Sequence, residues 1–481
     1  MTELPSSCAR AVVLGGGLAG TLAAAALAPY VREVLILEHD AALPDTPSAR
    51  ARLPQAAHAH MLWAGGADAM EELLPGVTGD WLATGAHRIP IPNGMVSFSA
   101  AGWFRRSWAD THYLIGASRN LIDWAVRERV LRLPNVRVQT GTRVCGLEGD
   151  AAHVLGVAVR AAQGERRLVA ADLVVDATGR GSKSTQWLRD IGAPQVRETV
   201  VDAGVRYASR KYWAPEGTET DWPVIHIPAD PRQGRPGIVA TIISIENGQW
   251  HVSLSGTRGG EPSSDEALYE EFARRARHPL VAELLARAQP AGDVSVFTRT
   301  ANRRRHFEQA RLPAGFIALG DAATSLNPVY GHGMSAAALG ALALRDQARR
   351  TSVLSAGFAA KAQRAIARPA GAAWMLAVGQ DRFYPGAIGG KPTQVDRLAA
   401  RYVHRLNRAA IGNALIVRKL TDVMAMRRPA RILANPAVLL AAALGPRKPL
   451  LAGPELTLRE REVLDRPPLR SPQSTPAEPA M

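Results

Sequence analysis

The first apolar run, Ala11 to Leu14, is strand-length and is followed by glycines. A short continuous run of this kind reads as a strand buried on both faces. Gly20 to Ala28 is small and, apart from Thr21, apolar, as a helix packed closely on its neighbours should be. Val34 to Leu37 repeats the strand pattern and ends at Glu38. Leu43 to Arg52 carries Pro44 and Pro47 and predicts a loop. Met61 to Leu74 reads as a helix and Leu121 to Leu131 as an amphipathic one. Val136 to Val144, Val154 to Ala161 and Leu173 to Asp176 read as strands. Strands alternating with helices at this spacing predict βαβ units and a parallel sheet.

The texture changes in the middle of the chain. Ile89 to Trp103 alternates around Asn93-Gly94, a hairpin signal. The run from Val205 to Tyr207 alternates as well. Gly237 to Ile245 and Gln249 to Ser255 predict a second hairpin around Glu246-Asn247-Gly248. This region predicts an antiparallel sheet. Asp265 to Ala288 reads as helical, Phe316 to Leu319 returns to a buried parallel strand, and the chain beyond Leu344 is mostly helical. Arg466 to Met481 is Pro-rich and predicts disorder.

The expected fold is therefore α/β: a Rossmann-like nucleotide domain, an inserted antiparallel-sheet substrate domain and a helical C-terminal region. The expected boundaries are 1–85, 113–182 and 296–350 for the first, 86–112 and 183–295 for the second, and 351–465 for the third. The 481 residues suffice for two or three domains.

Composition narrows the setting. Two cysteines, Cys8 and Cys145, lack metal-like spacing and exclude a disulfide framework. The N-terminus shows no secretory pattern, and the late apolar run Ala437 to Leu444 is too short to span a bilayer. A cytoplasmic location follows. The net charge of +15 is carried almost entirely by Arg. Its scatter, without a recognition motif, argues against nucleic acid. It fits either general composition or an anionic partner such as NADPH, a carboxylate or an acidic carrier protein.

Two glycine motifs carry the chemistry. Gly15, Gly17 and Gly20 form a GxGxxG after the first strand, which places a dinucleotide pyrophosphate on a helix N-terminus. Some three hundred residues later comes GDAATSLNPVYGHGM, Gly320 to Met334. The pairing predicts that the dinucleotide is FAD. Asp321 beside Gly320 is placed to accept hydrogen bonds from ribityl hydroxyls. Pro328, Gly331, Gly333 and Met334 would bring backbone N–H groups to the flavin ring, where a helix N-terminus favours negative charge. Glu38, about twenty residues past the last motif glycine, suits a ribose hydroxyl. Arg119, before a helix, can reach a pyrophosphate with its forked donors. Asp176-Ala177-Thr178-Gly179 allows a tight approach under the dinucleotide. Arg50 suits the pyrophosphate or an incoming nicotinamide. His58, His60 and His332 are pocket candidates; His58 and His60 are equally readable as loop-stabilising, and His332 as a solvent-facing spacer. No third ligand accompanies His58 and His60, so no metal is expected.

In order and content, GGGLAG, DATG and GDAATSLNPVYGHGM resemble the FAD-dependent monooxygenases of the para-hydroxybenzoate hydroxylase type, over roughly residues 10 to 345. The runs PQAAHAHMLWAGGADAMEELLPG, GAHRIPIP, ADLVVDATGRGS, SLSGTRGGEP and NPVYGHGMSAAA are similar to the flavin epoxidases of polyether-ionophore biosynthesis, the monensin and lasalocid type. That resemblance implies epoxidation of C=C bonds in a linear polyene polyketide, free or carrier-bound, through a flavin C4a-hydroperoxide formed with O2. Electrons would come from NADPH or from reduced flavin supplied by a partner reductase, since no second GxGxxG occurs. One departure stands out: the family's Arg-Lys-Gly-x-Pro-Gln loop reads Arg50-Ala51-Arg52-Leu53-Pro54-Gln55, and Arg52 removes a glycine's freedom. An aromatic hydroxylase and a double-bond reductase on the same fold remain alternatives. WPVIHIP, Trp222 to Pro228, lacks the WxWxIP spacing of the halogenases. A regulatory flavin-binding protein without turnover is the reading from another class.

Overall fold

Five apolar strands form a wholly parallel sheet, in the order Phe316–Ala318, Leu173–Asp176, Arg10–Leu14, Glu33–Leu37, Val136–Gln139. The computed structural model describes residues 9–161, 164–218 and 220–469. Both faces of this sheet are covered, which is why its strands are apolar without alternation. Ala11 and Val13 join the core under the helices Leu18–Leu27, Arg119–Leu131 and Gly333–Arg350. Val12 and Leu14 face the other way, onto a small antiparallel sheet of Thr142–Gly149, Val154–Ala161 and Arg166–Ala170. The expected single strand Val136 to Val144 is thus two strands in two sheets.

The second large element is an eight-stranded sheet in the middle of the chain. The hairpin of Ile238–Ile245 and Gln249–Gly256 forms as the sequence predicts. Asn247 and Gly248 both take φ of +64°, the left-handed pair that a tight hairpin turn needs. Alternation then sorts the side chains. Trp250, Val252 and Leu254 pack on the helices Glu266–Arg274 and Leu280–Leu285, while Ser253, Ser255, Thr241 and Tyr207 line a cavity on the other face. Pro279, lacking an N–H, separates the two helices that the sequence reads as one.

Three further local expectations differ from the structure. Ile89 to Trp103 is not a hairpin. His87–Ile91 pairs with His112–Gly116, whereas Met95–Ser99 runs parallel to Val224–Ile227 in the large sheet. The turn does form, with Gly94 N–H donating to Pro90 O at 2.7 Å, but Pro90 and Pro92 have no donors with which to continue a mutual ladder. Met61–Trp63 is a strand rather than the first turn of a helix; the helix is Ala64–Leu73. Of the segment expected to be disordered, Arg466 to Leu469 lie on the Leu280–Leu285 helix region, with Leu469 N–H donating to Ala286 O at 2.8 Å. The rest of it, 470–481, falls outside the described residues.

The C-terminal part comprises Phe358–Asp381, Gln394–Ala410, Ala414–Met424, Pro436–Leu444 and Leu458–Asp465. No helix of the described residues is long and apolar enough to cross a membrane.

Candidate functional site

A cavity of about 1300 Å³ runs from the first glycine loop to the face of the large sheet. Its walls come from segments far apart in sequence, which the parallel sheet and the hairpin bring together.

At one end stands the glycine loop. Gly15 has φ of +95°, and a Cβ there would lie 2.9 Å from Ala177 O. A Cβ on Gly20 would fall 1.8 Å from Gly15 O. Gly20 therefore permits helix and strand to close on each other, and it does not itself line the cavity. Gly17, which does line it, caps the helix Leu18–Leu27 without any side-chain hydrogen bond. The helix's free N–H groups are left to the cavity, as an anionic pyrophosphate requires. Glu38 is buried and accepts from Gly16 N–H at 2.7 Å and from Asp40 N–H at 2.8 Å.

Arg50 lies behind this group. Its Nη2 is 2.8 Å from Glu38 Oε2, its Nε donates to Asp40 at 2.9 Å and its Nη1 to Gly16 O at 2.9 Å. The structure makes it a brace for the loop and for Glu38, with its donors committed there. Arg52 is exposed at the rim, 3.7 Å from Asp40.

In the middle, Asp321 lines the cavity; its backbone O accepts from Ser325 Oγ at 3.2 Å, but its carboxylate accepts no hydrogen bond from a described side chain or N–H. Burial raises its pKa, partly offset by Arg180, Arg119 and Arg305. An acceptor held without donors fits ribityl hydroxyls. Arg119 donates through Nε to Asp123 at 2.6 Å, which fixes the guanidinium along the cavity wall. Gly320, at φ of +62°, packs its bare Cα against Ala19, where a Cβ would come within 2.7 Å. Asp176 is fully buried and satisfied by Thr178 N–H at 2.9 Å and Ser182 Oγ at 2.5 Å. Its part is to shape the turn that presents Thr178 and Gly179 to the cavity.

At the far end, Pro328, Gly331, Gly333 and Met334 line the cavity. Gly331 has φ of +67°, and the helix that begins at Gly333 has no side-chain cap. The loop is held from behind by a buried carboxylate that the sequence does not single out. Asp381 accepts from Tyr330 Oη at 2.6 Å, Asn302 Nδ2 at 2.6 Å and Asn327 Nδ2 at 3.0 Å. Arg180, directly after the DATG run, bonds Ala301 O and Leu326 O at 2.6 Å each.

The three histidines part company here. His332 is 1 % exposed and is not on the cavity wall. Its Nε2 donates to Met424 O at 3.0 Å, tying the loop to the Ala414–Met424 helix. It is a strut, because the glycines on either side turn it away from the cavity. His60 donates from Nδ1 to His58 O at 2.7 Å. Burial first, and Arg119 next, hold it neutral. His58 lies against Tyr207 and Phe297, and burial lowers its pKa to about 4.

His58 Nδ1 is 2.7 Å from Ser209 Oγ, which is 2.5 Å from Ser253 Oγ, which accepts from Ala59 N–H at 3.0 Å. When the one proton left over for the cavity is that of His58 rather than that of Ser253, the chain has a single direction. Ala59 gives to Ser253, Ser253 to Ser209 and Ser209 to Nδ1. The proton of neutral His58 then sits on Nε2, on the cavity side. Ser209 and Ser253 are directly opposed across two strands, a register that no local motif encodes.

These two uncapped helix ends, the unsatisfied Asp321 and the glycine clearances fit an extended dinucleotide with a ring at its sheet end. A family model described as an FAD binding domain matches residues 9–346. The chain belongs to this family of flavin-dependent monooxygenases. FAD is its cofactor, and it is a flavin-dependent oxidative enzyme. Protein Rv3254 of Mycobacterium tuberculosis (strain ATCC 25618 / H37Rv) is 32% identical over 391 residues, 78% of this chain and 81% of that protein. Among solved structures the flavin-dependent brominase Bmp2 is similar with a TM-score of 0.63 at 15% identity, covering 87% of this chain and 93% of that one. The p-nitrophenol 4-monooxygenase PnpA of Pseudomonas putida DLL-E4 gives 0.57 at 18%, covering 88% and 99%. At these identities the structural matches establish the fold.

Proposed function

We propose that the chain is an FAD-dependent epoxidase that adds one oxygen atom from O2 to C=C bonds of a linear polyene polyketide. Bound flavin supplies oxygen activation; the residues described above bind it, orient the alkene and exclude water. Glu38, braced by Arg50, would take the adenosine ribose, the Gly15–Gly20 loop and Arg119 the pyrophosphate, Asp321 the ribityl chain, and the Pro328–Met334 loop the ring.

The observation that carries the reading is the chemistry of the sheet end. Tyr207, Val239, Phe297, Leu326, Pro328 and Val329 give it apolar walls. The carboxylates on the cavity wall, Glu38, Asp190 and Asp321, stand elsewhere, toward the dinucleotide. His58 presents an N–H there, and His60 is held a poor base. A phenol hydroxylase needs an acceptor for the phenolic proton. An alkene gives up no proton on epoxidation, so a pocket without a strong proton acceptor suits it. The resemblance of PQAAHAHMLWAGGADAMEELLPG and NPVYGHGMSAAA to polyether epoxidases supports the same substrate class.

NADPH or a partner reductase supplies the electrons, and an acidic acyl carrier protein is the proposed bearer of the substrate where it is not free. The test is turnover of a linear polyene under 18O2 with either electron source. A product heavier by one 18O atom per epoxide is expected. Oxygenated phenols with no polyene product would transfer the assignment to aromatic hydroxylation, and alkene saturation without 18O to a reductase.

A further inference from the structure

The helix Pro436–Leu444 is apolar on every side, yet only Val438, Ala441 and Ala442 are buried. Leu439 is 46% exposed, Leu440 63%, Leu444 66% and, a few residues on, Leu450 53%. A soluble protein gains nothing from four leucines in water, and a cluster of this kind marks an interaction site.

The surrounding charge says what covers them. From Val423 to Pro454 the chain has no Asp or Glu, while it carries Arg427, Arg428, Arg431, Arg447 and Lys448. Arg428, Arg431 and Arg447 are exposed and form no ion pair among the described residues. Leucines projecting from one short helix, flanked on both chain sides by unpaired cations, match the interface of an anionic bilayer, which takes apolar side chains beneath its head groups and cations among them. A second copy of the chain fits poorly. In a two-fold contact the same patch meets itself, which would set these cations against one another.

We propose that Pro436–Leu444, with the flanking cations, docks this enzyme on an anionic lipid surface without crossing it. The contact is independent of the reaction assigned above, since it lies outside the cavity wall and is read without turnover.

The test is co-sedimentation of the holoenzyme with vesicles of phosphatidylcholine alone and of phosphatidylcholine with phosphatidylglycerol. Binding to the anionic vesicles, weakened by salt, is expected. Leu440→Ser with Leu444→Ser should cut it about tenfold or more, as should Arg431→Glu with Arg447→Glu. Both variants alter only exposed side chains, so flavin occupancy should stay at the parent level. The proposal is overturned if the parent protein stays in solution with anionic vesicles, or if both variants bind as it does. It is equally overturned if light scattering shows a dimer that the leucine variant dissociates, or if the face captures an acidic carrier protein and no vesicle.

Discussion

The two ends of the cavity are built by opposite means. The dinucleotide end is made of backbone. Gly15 and Gly20 clear space, the helix Leu18–Leu27 offers its free N–H groups, and Glu38 with Arg50 closes the turn. The sheet end is made of side chains delivered from separate strands: His58 from one loop, Ser209 and Ser253 from opposed strands, Phe297 from a fourth segment. Backbone sites tolerate no added atom but little changes their charge. Side-chain sites tolerate conservative change but depend on protonation.

Acid should therefore attack the sheet end first, and this is the largest effect expected. Burial lowers the pKa of His58 and His226 to about 4 and of His251 to about 3, against 6.5 in the unfolded chain. The folded state keeps them neutral while the unfolded state takes up protons. Their stabilisation is thus complete above about pH 6.5 and is lost as pH falls toward 4. Together they remove on the order of 5 kcal/mol by pH 5. Thermal melts across this range, with hydrogen exchange by segment, should show Arg206–Trp213 and Gln249–Gly256 opening before Arg10–Leu14. Equal loss at both ends would break the contrast.

Gly20→Ala probes the other end. With its Cβ 1.8 Å from Gly15 O, the methyl must push helix and strand apart, costing about 3 kcal/mol or more. The variant should purify colourless with a lowered Tm. A yellow protein of parent stability would show that the loop has slack the structure does not contain.

Legibility follows the same division. The glycine loop, Glu38, DATG and the Gly320–Met334 run are each readable from local spacing, and members of all four line one cavity. The hairpin at Asn247-Gly248 was equally local. Asp381 was not readable, because its partners Asn302, Asn327 and Tyr330 lie 79, 54 and 51 residues away in sequence. The Ser209–Ser253 pairing was not readable either, since it depends on cross-strand register. His332 misled because its position between two flavin-loop glycines said nothing of which way the ring turns. Arg180 was within reach: it follows DATG directly.

Asp321→Ala lies between the two ends. The carboxylate has no protein partner to leave stranded, so the fold should hold its Tm without flavin. Losing charge-assisted bonds to ribityl hydroxyls should weaken flavin binding roughly 100-fold, measured by titrating the apoprotein with FAD. Full flavin occupancy at low FAD would sink the role given to Asp321.

Ser209→Ala gives the smallest effect and the sharpest reading of the sheet end. The hydroxyl touches neither the dinucleotide motifs nor a helix cap; its partners are His58 Nδ1 and Ser253 Oγ. Removing it frees His58 to exchange tautomers and to turn its lone pair toward the cavity. One neutral hydrogen bond is worth about 1 kcal/mol, so product formation per electron consumed should fall several-fold while FAD affinity stays unchanged. Ser209→Thr keeps a hydroxyl on the same strand face and should restore most of the loss. A merely structural role would lower stability in both variants alike and leave coupling untouched. Unchanged coupling in Ser209→Ala, measured as 18O product against NADPH or reduced flavin consumed, would mean that the serine chain does not fix the His58 proton. The description of His58 as the pocket's N–H donor, and the preference for an alkene over a phenol that rests on it, would then go with it.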